Sequence, residues 1–225
     1  MLVHIVHANN KHFYADYLSQ MFRQRKTVFI DRLGWAALSE ESGLERDELD
    51  NLEQVEYLLN IDEFGELVGS ARFAPSTGPH LLAGPLKAYV DRPYKAADGT
   101  WEITRYVPTT DDDSPRALAG RAYLLTAFVE WSLRRGVTTL LGISPEATLG
   151  FTSRMGWKNG LLGMPRDYER GGRGAAMYFE MSAEALVSTR RFWELSGPVT
   201  LDLPHAPMAR QITLADIRLF NDLQH

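Results

Sequence analysis

The chain has 225 residues, 44% of them hydrophobic and 24% charged, enough to bury a substantial core without external staples. It contains no cysteine, which excludes a disulfide framework, a thiolate metal site and a cysteine nucleophile. A net charge of −5 argues against general nucleic-acid binding.

No run of about 18 apolar residues is present to span a membrane. The opening MLVHIVHANN has neither a basic leader nor a long apolar stretch. These features predict a cytoplasmic protein with no membrane insertion, folded as one domain over residues 1–225. Charge is distributed unevenly. Between Glu40 and Glu66 eleven carboxylates face only Arg46, whereas between Arg134 and Arg173 seven basic residues face three acidic ones. Two solvated faces would explain this; so would a cationic substrate at the first region and an acidic partner at the second.

In chain order, Val3, Ile5 and Val6 predict a short opening strand, and Asn9 or Asn10 a cap for the helix that follows. Phe13, Tyr17, Leu18, Met21, Phe22, Arg25, Val28 and Phe29 recur at helical spacing over about 20 residues. After Gly34 and Trp35 the polar, acidic stretch from Ala36 to Asp50 is long for a connector, and is a candidate substrate loop. Val55, Tyr57, Leu59 and Ile61 alternate, Asp62–Gly65 turns, and Leu67–Phe73 returns, predicting a hairpin. Ala74–Pro79 reads as a loop, Trp101–Val107 as a strand and Thr109–Asp113 as an acidic loop. Ser114 and Pro115 are the N-cap and first residue of a helix that stops at Gly136. A strand at Val137–Ile143, a short helix ending near Gly156, a strand at Ala175–Met181 and a helix at Ala183–Leu195 follow. Hairpin strands followed by alternating strands and helices predict an α/β fold, a mixed sheet flanked by helices.

Three groups of residues could carry chemistry. The segment from Arg25 through Phe29 to Trp35 could be the end of an amphipathic helix, or a lid whose aromatic faces attract a sulfonium and whose arginine attracts a carboxylate. Glu45, Asp47, Glu48 and Asp50 are packed so densely that they need a cation, a set of donors, or a clamp from Arg25, Arg72 or Arg105. On a regular strand Glu102, Thr104 and Tyr106 face one way and Trp101, Ile103 and Arg105 the other, so two polar groups would line a cleft. The six histidines show no metal-ligand spacing, and the phosphate-binding glycine loops and the serine elbow are absent. No metal and no cofactor is expected.

Taken together, Arg25-x-x-Val28-Phe29…Leu33-Gly34-Trp35, Glu45-x-Asp47-x-x-Asp50, Tyr57-Leu58-Leu59, Gly69-x-x-Arg72-Phe73-x-Pro75-x-Thr77-Gly78-Pro79 and Trp101-Glu102-x-Thr104-Arg105-Tyr106 resemble the acyl-homoserine-lactone (autoinducer) synthases in order and spacing. The match covers Met21 to Tyr106, with Met155-Gly156-Trp157 beyond. The resemblance implies a fold similar to the GCN5-related N-acetyltransferases. It also implies transfer of an acyl group, from acyl carrier protein or acyl-coenzyme A, to S-adenosylmethionine, which is a substrate here and not a cofactor. Carried over, Arg25, Phe29, Trp35 and Thr104 belong to the S-adenosylmethionine end. Glu102, Arg72, Arg105, Asp47 and Asp50 form the catalytic cluster, with Glu45 beside it.

There are departures. Leu86 stands near the place of a usual phenylalanine, Thr104 replaces a serine and Tyr106 a phenylalanine. Leu141 or Gly142 falls where makers of 3-oxo signals carry a threonine, which leans toward an unsubstituted chain.

In the implied reaction Glu102 takes the proton of the substrate α-amine, directly or through one water. The amine attacks the thioester, and the substrate carboxylate then displaces methylthioadenosine to close the lactone. Arg134, Arg135, Arg154 and Lys158 are candidates for docking an acidic carrier protein, although Arg134 and Arg135 also suit a helix C-terminus. The alternatives are a GCN5-like N-acetyltransferase using acetyl-coenzyme A and a noncatalytic acyl-ligand sensor. Against the first, Arg116-Ala117-Leu118-Ala119-Gly120-Arg121 is out of register with that family's pyrophosphate loop.

Overall fold

A computed structural model of the chain describes residues 1–35, 42–108, 114–168 and 172–203. The expected acidic loop Thr109–Asp113 and residues 36–41 of the expected substrate loop lie outside these residues, as do His205 and His225.

Among the described residues the strands are β1 Leu2–Val6, β2 Glu56–Ile61, β3 Leu67–Pro75, β4 Thr100–Val107, β5 Thr139–Ser144, β6 Asn159–Leu161, β7 Arg166–Tyr168, β8 Gly172–Glu180 and β9 Thr200–Leu201. They hydrogen-bond in the order β6-β8-β5-β4-β3-β2-β1-β9, with β7 on β8. The sheet is mixed. β1 runs antiparallel to β2 and parallel to β9, while β5 is parallel to β4 and antiparallel to β8. Four helices, α1 Ala15–Arg25, α2 Pro115–Arg135, α3 Ala147–Arg154 and α4 Ala183–Trp193, flank it. Every residue of β2 from Tyr57 to Ile61 is buried, as expected of a strand covered on both faces.

The chain divides into two compact units. One holds Met1–Arg72, Arg105–Ala127 and the chain from Val199, and the other Phe73–Thr104 and Phe128–Pro198. β3 and β4 each run from one unit into the other. In the first unit α1 is tied to the hairpin: the Tyr17 hydroxyl donates to the Gly65 carbonyl at 3.0 Å and the Gln24 amide to that of Leu67 at 2.7 Å. In the second, the buried Trp131 ring lies 4.2 Å from Phe73 and 5.2 Å from Trp101, centroid to centroid.

The expected cap holds at Ser114, whose Oγ accepts from Ala117 N, and the last helix starts at Ala183 as expected, capped by Ser182 Oγ accepting from Ala185 N. The expectation fails at the first helix, where Asn10 makes no cap. Its side chain accepts from His7 N and donates to the Ile5 carbonyl, bracing the turn out of β1. The single helix expected there is three segments: a 3-10 turn Lys11–Tyr14, α1, and a π-helix Lys26–Arg32. Helical periodicity is too coarse to separate hydrogen bonds to the third, fourth or fifth residue back. β3 also extends two residues into the expected loop, to Pro75. The short strands β6, β7 and β9 have two or three residues each, too few to show alternation.

In the second unit, Asp91 N and Arg92 N both donate to the Leu162 carbonyl, at 2.9 and 2.8 Å. A Cβ on Gly163 would lie 1.9 Å from the Tyr89 carbonyl oxygen, so only glycine permits this approach. Gly163→Ala should lower the urea midpoint by the equivalent of about 1–3 kcal/mol, the usual cost of overpacking. Gly150→Ala, a helical position with nothing within 4 Å, is the control and should be neutral or stabilising. Equal midpoints for the two variants would refute the tight approach.

Candidate active site

The acidic segment is tied down from within. Asp47 caps the 3-10 turn Glu48–Asn51: its side chain accepts from Leu49 N, and Asp50 reaches back to accept from Asp47 N at 2.9 Å. That capping box aims both aspartates, with Glu45, at three arginines from separate elements. Arg25, the last residue of α1, donates from Nε to Glu45 at 2.5 Å and from both terminal nitrogens to Asp50 at 2.9 and 3.0 Å. Arg72 on β3 forks onto Asp47 at 2.5 and 2.8 Å and approaches Asp50 at 3.0 Å. Arg105 on β4 joins Glu45 at 2.9 Å to Asp47 at 2.9 Å. The Tyr57 hydroxyl donates to Asp50 at 2.9 Å.

Three positive and three negative side chains thus form one closed network in the first unit. Five of the six side chains are at most 4% exposed, and only Asp47, at 21%, reaches the surface. The three arginines are those anticipated as clamps. Burial alone would raise the Asp50 carboxyl pKa, but the hydrogen bonds and charge of Arg25, then the charge of Arg72, more than reverse this and hold it well below the usual range. Asp47 is likewise lowered: burial is opposed and outweighed by Arg72 and then Arg105.

At the edge of the network, Phe29 stacks on Trp35 with centroids 5.1 Å apart and planes at 30°. The Arg105 guanidinium carbon lies 5.6 Å from the centre of the Phe29 ring. The π-helix makes this possible, because Trp35 N closes back onto the Phe29 carbonyl at 2.9 Å after the helix has widened. Arg25, expected beside them, instead faces inward and is fully buried.

β4 departs from the expected alternation. Thr100 and Glu102 are buried, Ile103 and Thr104 are both half-buried, and Arg105 and Val107 are buried. Burial therefore does not follow a two-residue alternation past Ile103, and Glu102 and Arg105 are both buried. Arg105 has φ 51°, a left-handed conformation inside a strand, which interrupts the regular pleat there. Nothing in the residue types around Arg105 marks this position.

Glu102 belongs to the second unit. Its two carboxylate oxygens accept from Leu81 N and Leu82 N, each at 2.8 Å. Leu82 also faces an apolar cluster with Leu141, Leu162 and Ala176, on which Leu86, Tyr89, Val90, Tyr94, Ile143 and Tyr178 pack. Beside it is a cavity of about 400 Å³, with Leu82, Val90 and Tyr94 in its wall and Lys87 and Asp91 at its polar side. The Leu81–Leu82 amides, His80, Tyr94 and Tyr57 were not picked out as site residues by sequence. Their roles rest on backbone donors and on a hydrogen bond across fourteen residues, which residue spacing does not reveal.

The four docking candidates lie in the second unit. Arg134 and Arg135 end α2, with Arg134 exposed; Arg154, on α3, is exposed over the Phe151 ring, and Lys158 is exposed. No group of three or more histidine, aspartate or glutamate side chains set to hold a metal occurs among the described residues. No helix among them is long and apolar enough to cross a membrane.

The fold has counterparts among solved structures. A CoA-dependent acyl-homoserine lactone synthase solved with SAM and isopentyl-CoA superposes with a TM-score of 0.81, covering 97% of this chain and 99% of that one at 23% identity. A putative N-acetyltransferase from Lactobacillus plantarum aligns over 81% of this chain and all of its own, with a TM-score of 0.50 and 20% identity. At these identities the likeness is one of fold. Sequence goes further. An acyl-homoserine-lactone synthase of Rhizobium etli is 32% identical over 141 residues, 62% of this chain and 66% of that protein, just under two thirds of its length. The family model described as autoinducer synthase matches residues 9–185. The chain belongs to the autoinducer synthase family.

The network should show itself in stability. Asp50→Asn leaves Arg25 short of a charge partner in a buried site, which should cost about 3–5 kcal/mol at neutral pH in urea unfolding. In the parent protein the depressed carboxylates stabilise the fold above the unfolded-state value of about 3.9, and that stabilisation is lost as pH falls through the lower folded values. Stability should therefore drop below about pH 4, and less steeply in Asp50→Asn. Identical acid limbs for the two proteins would remove Asp50 from this account.

Proposed function

We propose that the chain joins an acyl group to the α-amine of S-adenosylmethionine and closes the product to an N-acyl-homoserine lactone, releasing methylthioadenosine. The observation that carries this reading is the closed network of Arg25, Arg72 and Arg105 with Glu45, Asp47 and Asp50, the residues that the sequence resemblance carries over from the family. The related synthase solved with SAM and isopentyl-CoA supplies the matching pair of substrates.

In this reading the side chains divide their work. Phe29 and Trp35 offer aromatic faces to the sulfonium, and Asp47, the network's exposed carboxylate, offers charge complementarity to the cationic substrate. Thr104 supplies a hydroxyl at the same end. Arg105 holds its geometry through Glu45, while Arg25, Arg72 and Asp50 fix the acidic turn from below. Glu102 is the base. Each of its oxygens takes one backbone N–H, and the carboxylate receives the amine proton directly or through one water. The amine nitrogen bonds to the thioester carbon, the carbon–sulfur bond of the thioester breaks, and the thiol leaves. The substrate carboxylate oxygen then bonds to its own γ-carbon as the sulfonium leaves as a neutral thioether.

The acyl chain is assigned to the apolar cluster around Leu82 and Leu141. A Cβ on Gly142 would sit 3.1 Å from the Ile103 carbonyl oxygen, so a larger residue there is crowded. That suits an unsubstituted acyl chain with no polar group to be met from that strand. The donor is acyl carrier protein or acyl-coenzyme A, with the basic residues of the second unit receiving its phosphates or acidic helix, and the reaction belongs to the cytoplasm.

Methylthioadenosine release from S-adenosylmethionine with hexanoyl or octanoyl thioesters tests the whole reading. Acetyl transfer without methylthioadenosine would point to an N-acetyltransferase, and binding without turnover to a sensor. Glu102→Gln should keep the fold and lower turnover by roughly 10²–10⁴, the usual contribution of a general base; near-parental turnover would remove Glu102 from that role. Arg154→Glu with Lys158→Glu should raise KM for an acyl carrier protein donor selectively, in a salt-dependent way. Unchanged kinetics with the carrier would take these two residues out of the docking surface.

A further inference from the structure

Between β3 and β4 the chain forms a strap that closes on itself. His80 is buried, and its Nδ1 lies 2.8 Å from the Gly78 carbonyl oxygen. A carbonyl can only accept, so Nδ1 donates to it. Nε2 shares a hydrogen bond with the Tyr94 hydroxyl at 2.5 Å, and the two rings meet edge to face at 5.8 Å. One imidazole thus pins the strap at both ends, at Gly78 two residues before it and at Tyr94 fourteen residues after.

The next two residues in the chain are Leu81 and Leu82, whose N–H groups hold the two oxygens of Glu102. We propose that His80 and Tyr94 are positioning residues: by pinning the strap they keep the Leu81 and Leu82 amides on Glu102, and so set the pH at which that carboxylate takes up a proton. Neither touches the reacting atoms in this account; both act through the two amides.

Two backbone N–H groups favour the charged form of a carboxylate. Losing them would raise its pKa, leaving a larger protonated fraction unable to accept the amine proton at a given pH. The neighbours of Glu102 on β4, Trp101 and Ile103, and its register partner on β5, Leu141, are uncharged. Lys87 and Asp91 border the cavity that Tyr94 lines and offer one charge of each sign. Tyr94 itself stays neutral, because burial, and then the charge of Glu102, push its phenol upward.

The inference rests on the proposed role of Glu102, and the test separates the two. The full chain is labelled with δ-¹³C glutamate, and the Glu102 signal is identified by its loss in Glu102→Gln. Its titration is then followed in the parent, His80→Phe and Tyr94→Phe proteins beside the pH profile of kcat/KM. The Glu102 midpoint should rise by about one unit in both variants, a tenfold change in protonation, and the acidic limb of the profile should move upward with it. A packing defect alone would lower the melting temperature and leave the midpoint where it was.

If His80→Phe does not fold, Tyr94→Phe, which deletes a single oxygen, decides. An unmoved midpoint in folded variants overturns the proposal, even where Glu102→Gln is inactive. A raised midpoint with an active Glu102→Gln upholds the strap's control of Glu102 and removes the base assignment instead.

Discussion

The local structure of the first unit depends on a buried network of charges that sums to zero. Six ionised side chains with little water around them would be very costly one by one. Here each charge meets opposite charges in hydrogen-bonding geometry. Arg72 forks onto Asp47, Arg25 forks onto Asp50, and Arg105 ties Glu45 to Asp47. Such a network adds less to net stability than an apolar core of the same volume. What it confers is registration. The end of α1, the turn at Asp47–Asp50, the middle of β3 and the left-handed Arg105 of β4 can meet in one arrangement only if all three arginines are satisfied together.

That constraint accounts for two local irregularities. The left-handed Arg105 costs backbone energy of order 1–3 kcal/mol and persists only where the surroundings over-determine it; bonds to Glu45 and Asp47 do so. The π-helix after Arg25 is the second. Arg25 is fixed inward by two carboxylates, and widening the next turn brings Phe29 and Trp35 into the same stack. Both irregularities adjoin residues assigned to the reaction, where strain supported by neighbouring bonds is most often found.

Much of this was legible in the residues. The density of carboxylates from Glu45 to Asp50 named Arg25, Arg72 and Arg105 as clamps in one reading, beside a solvated loop or a cation site, and the structure holds to the clamp. The hairpin, the Ser114 start of α2 and the Gly136 stop are local signals of turn and cap chemistry, and they held. Three features were not legible. Asn10 has the type of a helix cap but finds better partners in His7 and Ile5, because the tight exit from β1 brings those groups closer. The left-handed backbone at Arg105 is a compromise among distant bonds, so a period-two reading of Trp101 to Tyr106 could not contain it. The donors on Glu102 are main-chain N–H groups of two leucines, which carry no chemical label in a sequence.

The two steps of the proposed reaction demand opposite surroundings. In the first, an uncharged amine and thioester pass through a state with a developing oxyanion, which hydrogen-bond donors and a positioned base stabilise. Groups suited to that step, Glu102 and the polar strap behind it, lie in the second unit. In the second step a carboxylate and a sulfonium within one molecule cancel each other as the ring closes. A reaction that destroys charge is slowed by strong solvation of its starting state. Aromatic faces attract a sulfonium more weakly than water or a bare carboxylate would, and Phe29 and Trp35 provide such faces in the first unit. The buried network completes this division. By neutralising most of the charge of its own carboxylates with Arg25, Arg72 and Arg105, the first unit leaves only the part-exposed Asp47 to complement a sulfonium, an attraction already weakened by Arg72 and Arg105 and so short of a deep ion pair.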